Sequence, residues 1–358
     1  DIDDVHVEKV RDTLVSMNGQ IGDEKMNAKQ AQMERGSSDK PSALKIVVWT
    51  LLFQLAWHFR SIIPFLQEGS FKDSDDFLRL HQVRIWMGGQ GWFDVSVPRM
   101  NLPMGGDMHW SRLVDLPISA LIWVFDLFTD TIMAERLAAI VWPFLLLVAT
   151  VFTLLAVCEK LYPNTNRLLA LLFTVTCITA LAEFAPSRID HHNLQILLFC
   201  LTLFGLVNAH TRWGHFLIGT TMALSIVIGL DVMLLQVFIL AWLGLEWVFG
   251  LDDQGKGLLR TGVSLLGATL LLYPLSVAPS QWFIAKCDQI SILYLTALAL
   301  ISISFIALCA STRILSFESK VKTIASRLAA GGLFAGLSLA LIIVAYPECR
   351  AGPMSGIS

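Results

Sequence analysis

Ser187-Arg188-Ile189-Asp190-His191-His192 separates two long apolar runs, 168–186 and 193–210. An aspartate and two histidines pack poorly at a membrane boundary and bind divalent cations well. Outward from this point the apolar runs recur. A membrane helix needs about 20 mostly apolar residues, and such stretches lie at 44–66, 134–157, 168–186, 193–210, 215–230, 231–250, 258–277, 290–310 and 326–346. The expectation is an all-α, polytopic membrane protein with about nine transmembrane helices.

Composition agrees. The chain has 358 residues, of which 55% are hydrophobic and 15% charged, and a mean hydropathy of +0.63. A soluble domain carries roughly 25% charged residues. The net charge of −3 points to no partner, and the absence of a basic stripe argues against nucleic acid. Residues 1–42 read as a polar cytoplasmic arm with no signal peptide, 43–346 as the membrane domain, and 347–358 as the start of an external loop in which the chain looks truncated. The six cysteines include no CxxC pair, which excludes a zinc ribbon or thioredoxin motif.

Lys and Arg in short loops set the orientation. Lys160 and Arg167, Arg212, Lys256 and Arg260, and Arg313, Lys320, Lys322 and Arg327 mark four connections as cytoplasmic. The alternation then works if 114–129, an amphipathic stretch with Asp115, Pro117 and Asp126, lies in the interface without crossing. Segments 67–133, 187–192, 278–289 and 347–358 all fall outside. The long loop 67–133 contains Trp86, Trp92 and Trp110, suited to an interface, and Arg79, Arg84, Arg99 and Arg112. Cys287 and Cys349 also fall outside, where a disulfide can form.

Two acidic clusters thereby share one side and can share one metal. Asp190 and His192, at i and i+2, can reach one ion from an extended turn, and their donor types suit Mn²⁺ or a similar ion. Asp190 is equally placed to cap the following helix, and Arg188 and His191 are open to proton transfer or phosphate contact. Asp73, Asp75 and Asp76 repel one another unless donors or a cation neutralise them. They are also placed to cap a helix over 77–88, in which Arg79, Gln82 and Arg84 supply polar positions. Asp231, in Gly229-Leu230-Asp231 between two apolar runs, reads as a tight outer turn or an ionisable functional residue.

These motifs resemble those of GT-C glycosyltransferases, most closely the membrane part of bacterial and archaeal oligosaccharyltransferase catalytic subunits, over about residues 44–350. In that family the first external loop opens with a catalytic aspartate followed by an amphipathic helix. Ser74-Asp75-Asp76-Phe77-Leu78-Arg79 is similar, with Asp75 in the aspartate's place and Asp73 as the alternative. Asp190-His191-His192 resembles the family's DxD-like element, with His192 where a second acidic ligand often stands. The segment 114–129 resembles the family's non-crossing helix. The family's soluble C-terminal domain, with its Trp-Trp-Asp motif, has no counterpart in these residues.

The resemblance implies transfer of a sugar from a polyprenyl-phosphate or -pyrophosphate donor to an acceptor on the non-cytoplasmic side, in a bacterium the periplasmic face of the inner membrane. It implies Asp75, Asp73 and Asp190 as catalytic residues and Asp75, Asp190 and His192 as ligands of Mn²⁺ or Mg²⁺. Arg84, Arg188 and His191 become donor-phosphate contacts, and Asp76 and Asp231 further candidates. The acceptor is protein in the leading reading, or a lipid or envelope polysaccharide. A transporter with intramembrane carboxylates at Asp190 and Asp231 is the reading from another class. It calls for inverted repeats and broken helices, and the sequence displays no repeat.

Overall fold

A computed structural model of the protein describes residues 42–100, 103, 105–163 and 167–350. The polar arm expected at 1–42 and most of the terminal segment 347–358 lie outside the described residues. Helix α1 (Ala43–Glu68) is followed by α2 (Ser74–Met87), a two-stranded antiparallel ribbon of β1 (Ser96–Val97) and β2 (Gly106–Asp107), and α3 (Arg112–Asp126). Then come α4 (Thr131–Leu161), α5 (Arg167–Thr176), α6 (Ile178–Ala182), α7 (His192–Val207), α8 (Arg212–Ile228), α9 (Met233–Phe249), α10 (Lys256–Ser276), α11 (Ile292–Ser311) and α12 (Lys320–Ala345).

The fold is all-α apart from the ribbon, as expected, but the expected spans are only partly matched. Among the described residues five helices, α1, α4, α10, α11 and α12, are long and apolar enough to cross a membrane. Helix α7 has 16 residues, about 24 Å at 1.5 Å per residue, and α8 and α9 have 17 each. They are short because the polar turns at 187–192 and 229–232 cut into the apolar runs. The run 168–186 is not one helix: it breaks at Cys177, between α5 and α6. Gln54 of α1 is buried and donates its side-chain amide to the Leu181 carbonyl (2.9 Å) beside this break. In lipid such a carbonyl needs a protein partner. The expected interfacial helix at 114–129 is α3. It has 15 residues, starts at the Ser111 cap, and buries Val114, Ile118 and Ile122 while exposing Leu116 and Trp123.

Two apolar cores divide the chain. The first joins α1–α4 to α6 and α7 around Ile46, Val83, Ile118, Ala138 and Phe184. The second joins α8–α11 around Ile218, Met222, Trp247 and Leu265. Helices α7 and α8 meet closely. A Cβ at Gly205 would stand 2.8 Å from the Gly214 carbonyl oxygen, and the buried hydroxyls of Thr202 and Thr221 are 2.8 Å apart.

The segments expected outside share one end of the molecule. The Trp92 indole donates to the Leu275 carbonyl (2.6 Å), and Cys287 is disulfide-bonded to Cys349, a separation of 62 residues. At the other end, Trp247 of α9 donates to Thr312 (2.8 Å), and Arg327 of α12 donates to the Trp247 carbonyl (2.7 Å).

Candidate active site

Helix α4 prepares the ground for the site loop. Pro143 has no N–H, so the Ala139 carbonyl one turn earlier has no helical donor. The Ser187 N–H takes that acceptor at 3.0 Å. Ser187 holds φ +73°, a backbone conformation few non-glycine residues adopt and a common sign of a functional turn. The next five residues are Arg188-Ile189-Asp190-His191-His192.

Helix α2 grips this loop. Asp73 caps α2 and accepts the Asp75 N–H (3.1 Å). Asp76, fully buried, accepts the backbone N–H of Ile189 (2.7 Å) and Asp190 (2.9 Å) through one carboxylate oxygen. Its other oxygen accepts from Arg188 (3.0 Å). Arg188 also pairs with Asp73 and with Glu183 (2.7 Å). The charge repulsion within the acidic cluster is thus met by one arginine and two amides. Burial pushes the Asp76 carboxyl up to about 6, although Arg188 and the two N–H donors act in the opposite direction.

The Asp75 side chain makes no bond to Arg188 or to the loop. It is half-buried on α2, one residue and about 100° of helix from Asp76. Among the described residues, the ligand atoms that lie within 4.8 Å of one another belong to Asp190, His191 and His192, and Asp75 is not in that group. Arg84 also stands elsewhere: its guanidinium makes a two-pronged bond to Glu135 of α4 (2.7 and 2.5 Å).

Within the group the two carboxylate oxygens of Asp190 differ. Oδ1 accepts the His191 N–H (2.6 Å) and faces the His191 ring Nδ1 at 2.5 Å. Oδ2 is buried, has no hydrogen-bond partner, and stands 3.3 Å from His192 Nε2. The expected cap is therefore partial, since Asp190 precedes the cap position and binds one N–H. Burial alone would raise the Asp190 carboxyl. The hydrogen bond and charge of His191, with Arg79 and His192, hold it well below the usual carboxylate range.

Asp231 completes the arrangement. It lies in the turn between α8 and α9, 3.2 Å from His191 Nε2 and 3.6 Å from His192 Nδ1. Burial opposes charge on His191, yet the carboxylates of Asp190 and Asp231, one at each ring nitrogen, raise its pKa. One ring nitrogen faces each carboxylate, so the ring orientation is fixed from both sides. Gly229 leaves the room for it, since a Cβ there would sit 2.8 Å from the His191 ring.

The sequence reading did not place Asp115, Arg79, Gln82 or Trp110 at the site. Asp115 of α3 is fully buried and bonds Arg79 (3.0 Å) and Arg112 (3.2 Å). Arg79 and Gln82, expected on a polar face of α2, are buried as well. Arg79 lies 3.8 Å from Asp190 and 4.5 Å over the Trp110 ring. Trp110 is therefore no interface anchor: it is buried and its ring centroid lies 6.0 Å from that of His191. The available signal was an aspartate inside an apolar helix with two arginines in the same loop. Beside Trp110 opens a cavity of about 410 Å³ between the first loop and the α10–α11 connection, lined in part by Asp94, Asp107, His109, Lys286 and Gln289.

Two solved structures of an oligosaccharyltransferase from Archaeoglobus fulgidus superpose on this architecture. One, described as the archaeal oligosaccharyltransferase AglB in complex with an inhibitory peptide and a dolichol-phosphate, has a TM-score of 0.60 at 15% identity. The other, in the apo form, has a TM-score of 0.66 at 16% identity. The chain shares the fold of these two structures over the aligned part. The alignments cover 86% and 89% of this chain and 39% of each oligosaccharyltransferase chain. By sequence, no family and no curated protein matches. The fold and its apolar helices make this a multi-pass membrane protein.

Proposed function

We propose that this protein is a GT-C-type glycosyltransferase that moves a sugar from a polyprenyl-phosphate or -pyrophosphate donor to an acceptor on the non-cytoplasmic side of the membrane. The observation that carries this reading is the buried, unpartnered Oδ2 of Asp190 facing His192 Nε2 at 3.3 Å. A carboxylate oxygen and an imidazole nitrogen that leave each other unsatisfied suit a divalent cation such as Mn²⁺ or Mg²⁺. The residues fit the group that the resemblance implies, with Asp190 and His192 as its holders. When bound, such an ion supplies Lewis-acid stabilisation of the phosphate leaving group.

The chain's own residues do the rest. His191, set between Asp190 and Asp231 at 2.5 and 3.2 Å, is placed to hold the Asp190 carboxylate in position and to exchange a proton with either carboxylate. Arg188 is engaged by three acidic side chains, so its part is to hold the loop on α2. Asp75, free of the clasp, is the group to orient or deprotonate the acceptor. The cavity beside Trp110 combines an aromatic wall with carboxylate, amide and ammonium groups, which suits a polar acceptor or the donor's sugar.

The test is transfer of labelled sugar from a polyprenyl-linked donor by membranes carrying wild type, Asp75→Ala or Asp190→Ala at equal protein levels, with glycopeptides and envelope polysaccharide profiled by mass spectrometry. Loss of glycopeptide product in both variants supports transfer to protein. Loss of only a lipid- or polysaccharide-linked product moves the acceptor to that class. Unchanged transfer in both variants refutes the site.

A further inference from the structure

At the end of the molecule opposite Asp190, a second cavity of about 420 Å³ is lined by Gly250, Asp252, Gln254, Thr312, Arg313, Ser316 and Arg327. Helix α9 separates the two sites by 17 residues, about 25 Å of helix. Arg327 is the only buried residue of α12, a 26-residue helix whose other side chains are exposed or half-exposed. It donates to the Trp247 carbonyl (2.7 Å) and to the Ser316 hydroxyl (3.0 Å), and its guanidinium lies 5.2 Å from the Trp247 ring centroid. Its Nε is buried without a partner.

Those contacts hold the guanidinium in place without balancing its charge. Among the described residues, no carboxylate lies within ion-pair distance of Arg327 or of the exposed Arg313. Asp252 lines the cavity, but its two oxygens accept the Gly257 (2.9 Å) and Leu258 (3.2 Å) N–H groups at the start of α10. A buried cation without an ion-pair partner is costly. Capping the last turn of α9 explains one of its N–H groups and leaves the charge. A phosphate meets what remains, because its oxygens match the guanidinium fork and can bridge two arginines.

The surroundings indicate who carries the phosphate. Leu251, Ile314 and Phe317 directly adjoin lining residues in the chain, each more than half exposed. Such a collar suits acyl chains, and basic pockets between membrane helices are a recurring form of anionic headgroup site. We propose that this cavity binds the phosphate of an anionic phospholipid in the leaflet opposite the Asp190 site. The inference stands apart from the proposed glycosyl transfer.

Native mass spectrometry of the full chain in a neutral detergent tests it. The protein is equilibrated with phosphatidylglycerol or with phosphatidylcholine of the same acyl chains, and in a separate arm with inorganic phosphate. Wild type should retain one phosphatidylglycerol with roughly tenfold preference over phosphatidylcholine, the size expected of one charge-assisted interaction. Arg327→Gln and the exposed Arg313→Ala should both lose that preference. Arg313→Ala has no buried contact to disrupt, so it decides the matter if Arg327→Gln fails to fold. Equal retention of the two lipids by wild type, or an undiminished preference in Arg313→Ala, overturns the proposal. Stabilisation by inorganic phosphate with no lipid retained overturns the lipid assignment in favour of a soluble phosphate compound.

Discussion

Asp76 and Asp75 are neighbours in sequence but only Asp76 bonds the 187–192 loop, so alanine at each should fail in different ways. Asp76→Ala removes the acceptor of two buried backbone amides, those of Ile189 and Asp190. Each unsatisfied buried donor costs about 1–3 kcal/mol, and Arg188 keeps Asp73 and Glu183, so the loss centres on about 4 kcal/mol. For a chain of 358 residues that corresponds to a fall of roughly 5 °C in the unfolding midpoint. Asp76→Asn keeps an oxygen for both amides. Burial already favours an uncharged group there, having pushed the carboxyl up to about 6, so the amide should cost only about 1 kcal/mol, mostly at Arg188. Asp75→Ala, at a half-exposed position, should lie within about 0.5 kcal/mol of wild type while abolishing transfer. The assay is thermal unfolding of the detergent-purified chain, followed by size exclusion, beside sugar transfer by the same preparations. If Asp76→Ala unfolds within a degree of Asp75→Ala, the clasp bears no load and the division of roles between these two aspartates is wrong.

Other perturbations probe the rest of the frame. Asp115→Asn leaves Arg79 and Arg112 buried without their shared carboxylate, and should cost about 3–5 kcal/mol. The double change Asp115→Leu with Arg112→Met should recover part of that loss in the same unfolding assay. Reduction of the Cys287–Cys349 bond, with its 62-residue separation, should lower stability by roughly 4 kcal/mol on the loop-entropy scale, and Cys349→Ser should make the protein indifferent to reductant. Gly229→Ala forces a methyl against the His191 ring. It should weaken Mn²⁺ binding by about 10–100-fold, read by titration calorimetry, with little change in midpoint. Chelation by EDTA should abolish transfer and added Mn²⁺ restore it, while circular dichroism stays unchanged because Asp76, Arg188 and Ser187 hold the loop through protein contacts alone.

Much of the frame was legible because hydropathy is a local property. Each expected apolar run contains a helix, and charge bias put the loops that meet at the site on one side. The break at Cys177 was not legible: no proline or glycine marks it, and the short helix after it is held by Gln54, more than a hundred residues away, which donates to the Leu181 carbonyl. Nor could the sequence rank Asp73, Asp75 and Asp76. Adjacent residues on a helix point about 100° apart, and only the position of the 187–192 loop decides which one turns inward. Asp115 was visible as a polar residue in an apolar stretch, but its partners come from 36 and 3 residues away. Pro143 was the missed clue of another kind, since a proline inside a long helix frees an acceptor that something else must fill.

The disulfide also records an order of events during synthesis. Cys287 emerges with the α10–α11 connection, and its partner arrives only after α11 and α12 have both entered the membrane. At roughly 5–20 residues per second, the separation of 62 residues keeps the first thiol waiting for about 3–12 s. Closure of the ring is thus a chemical time-stamp for insertion of the last helix. A chain stalled or misinserted at α12 carries a free Cys287 that a membrane-impermeant thiol reagent can label.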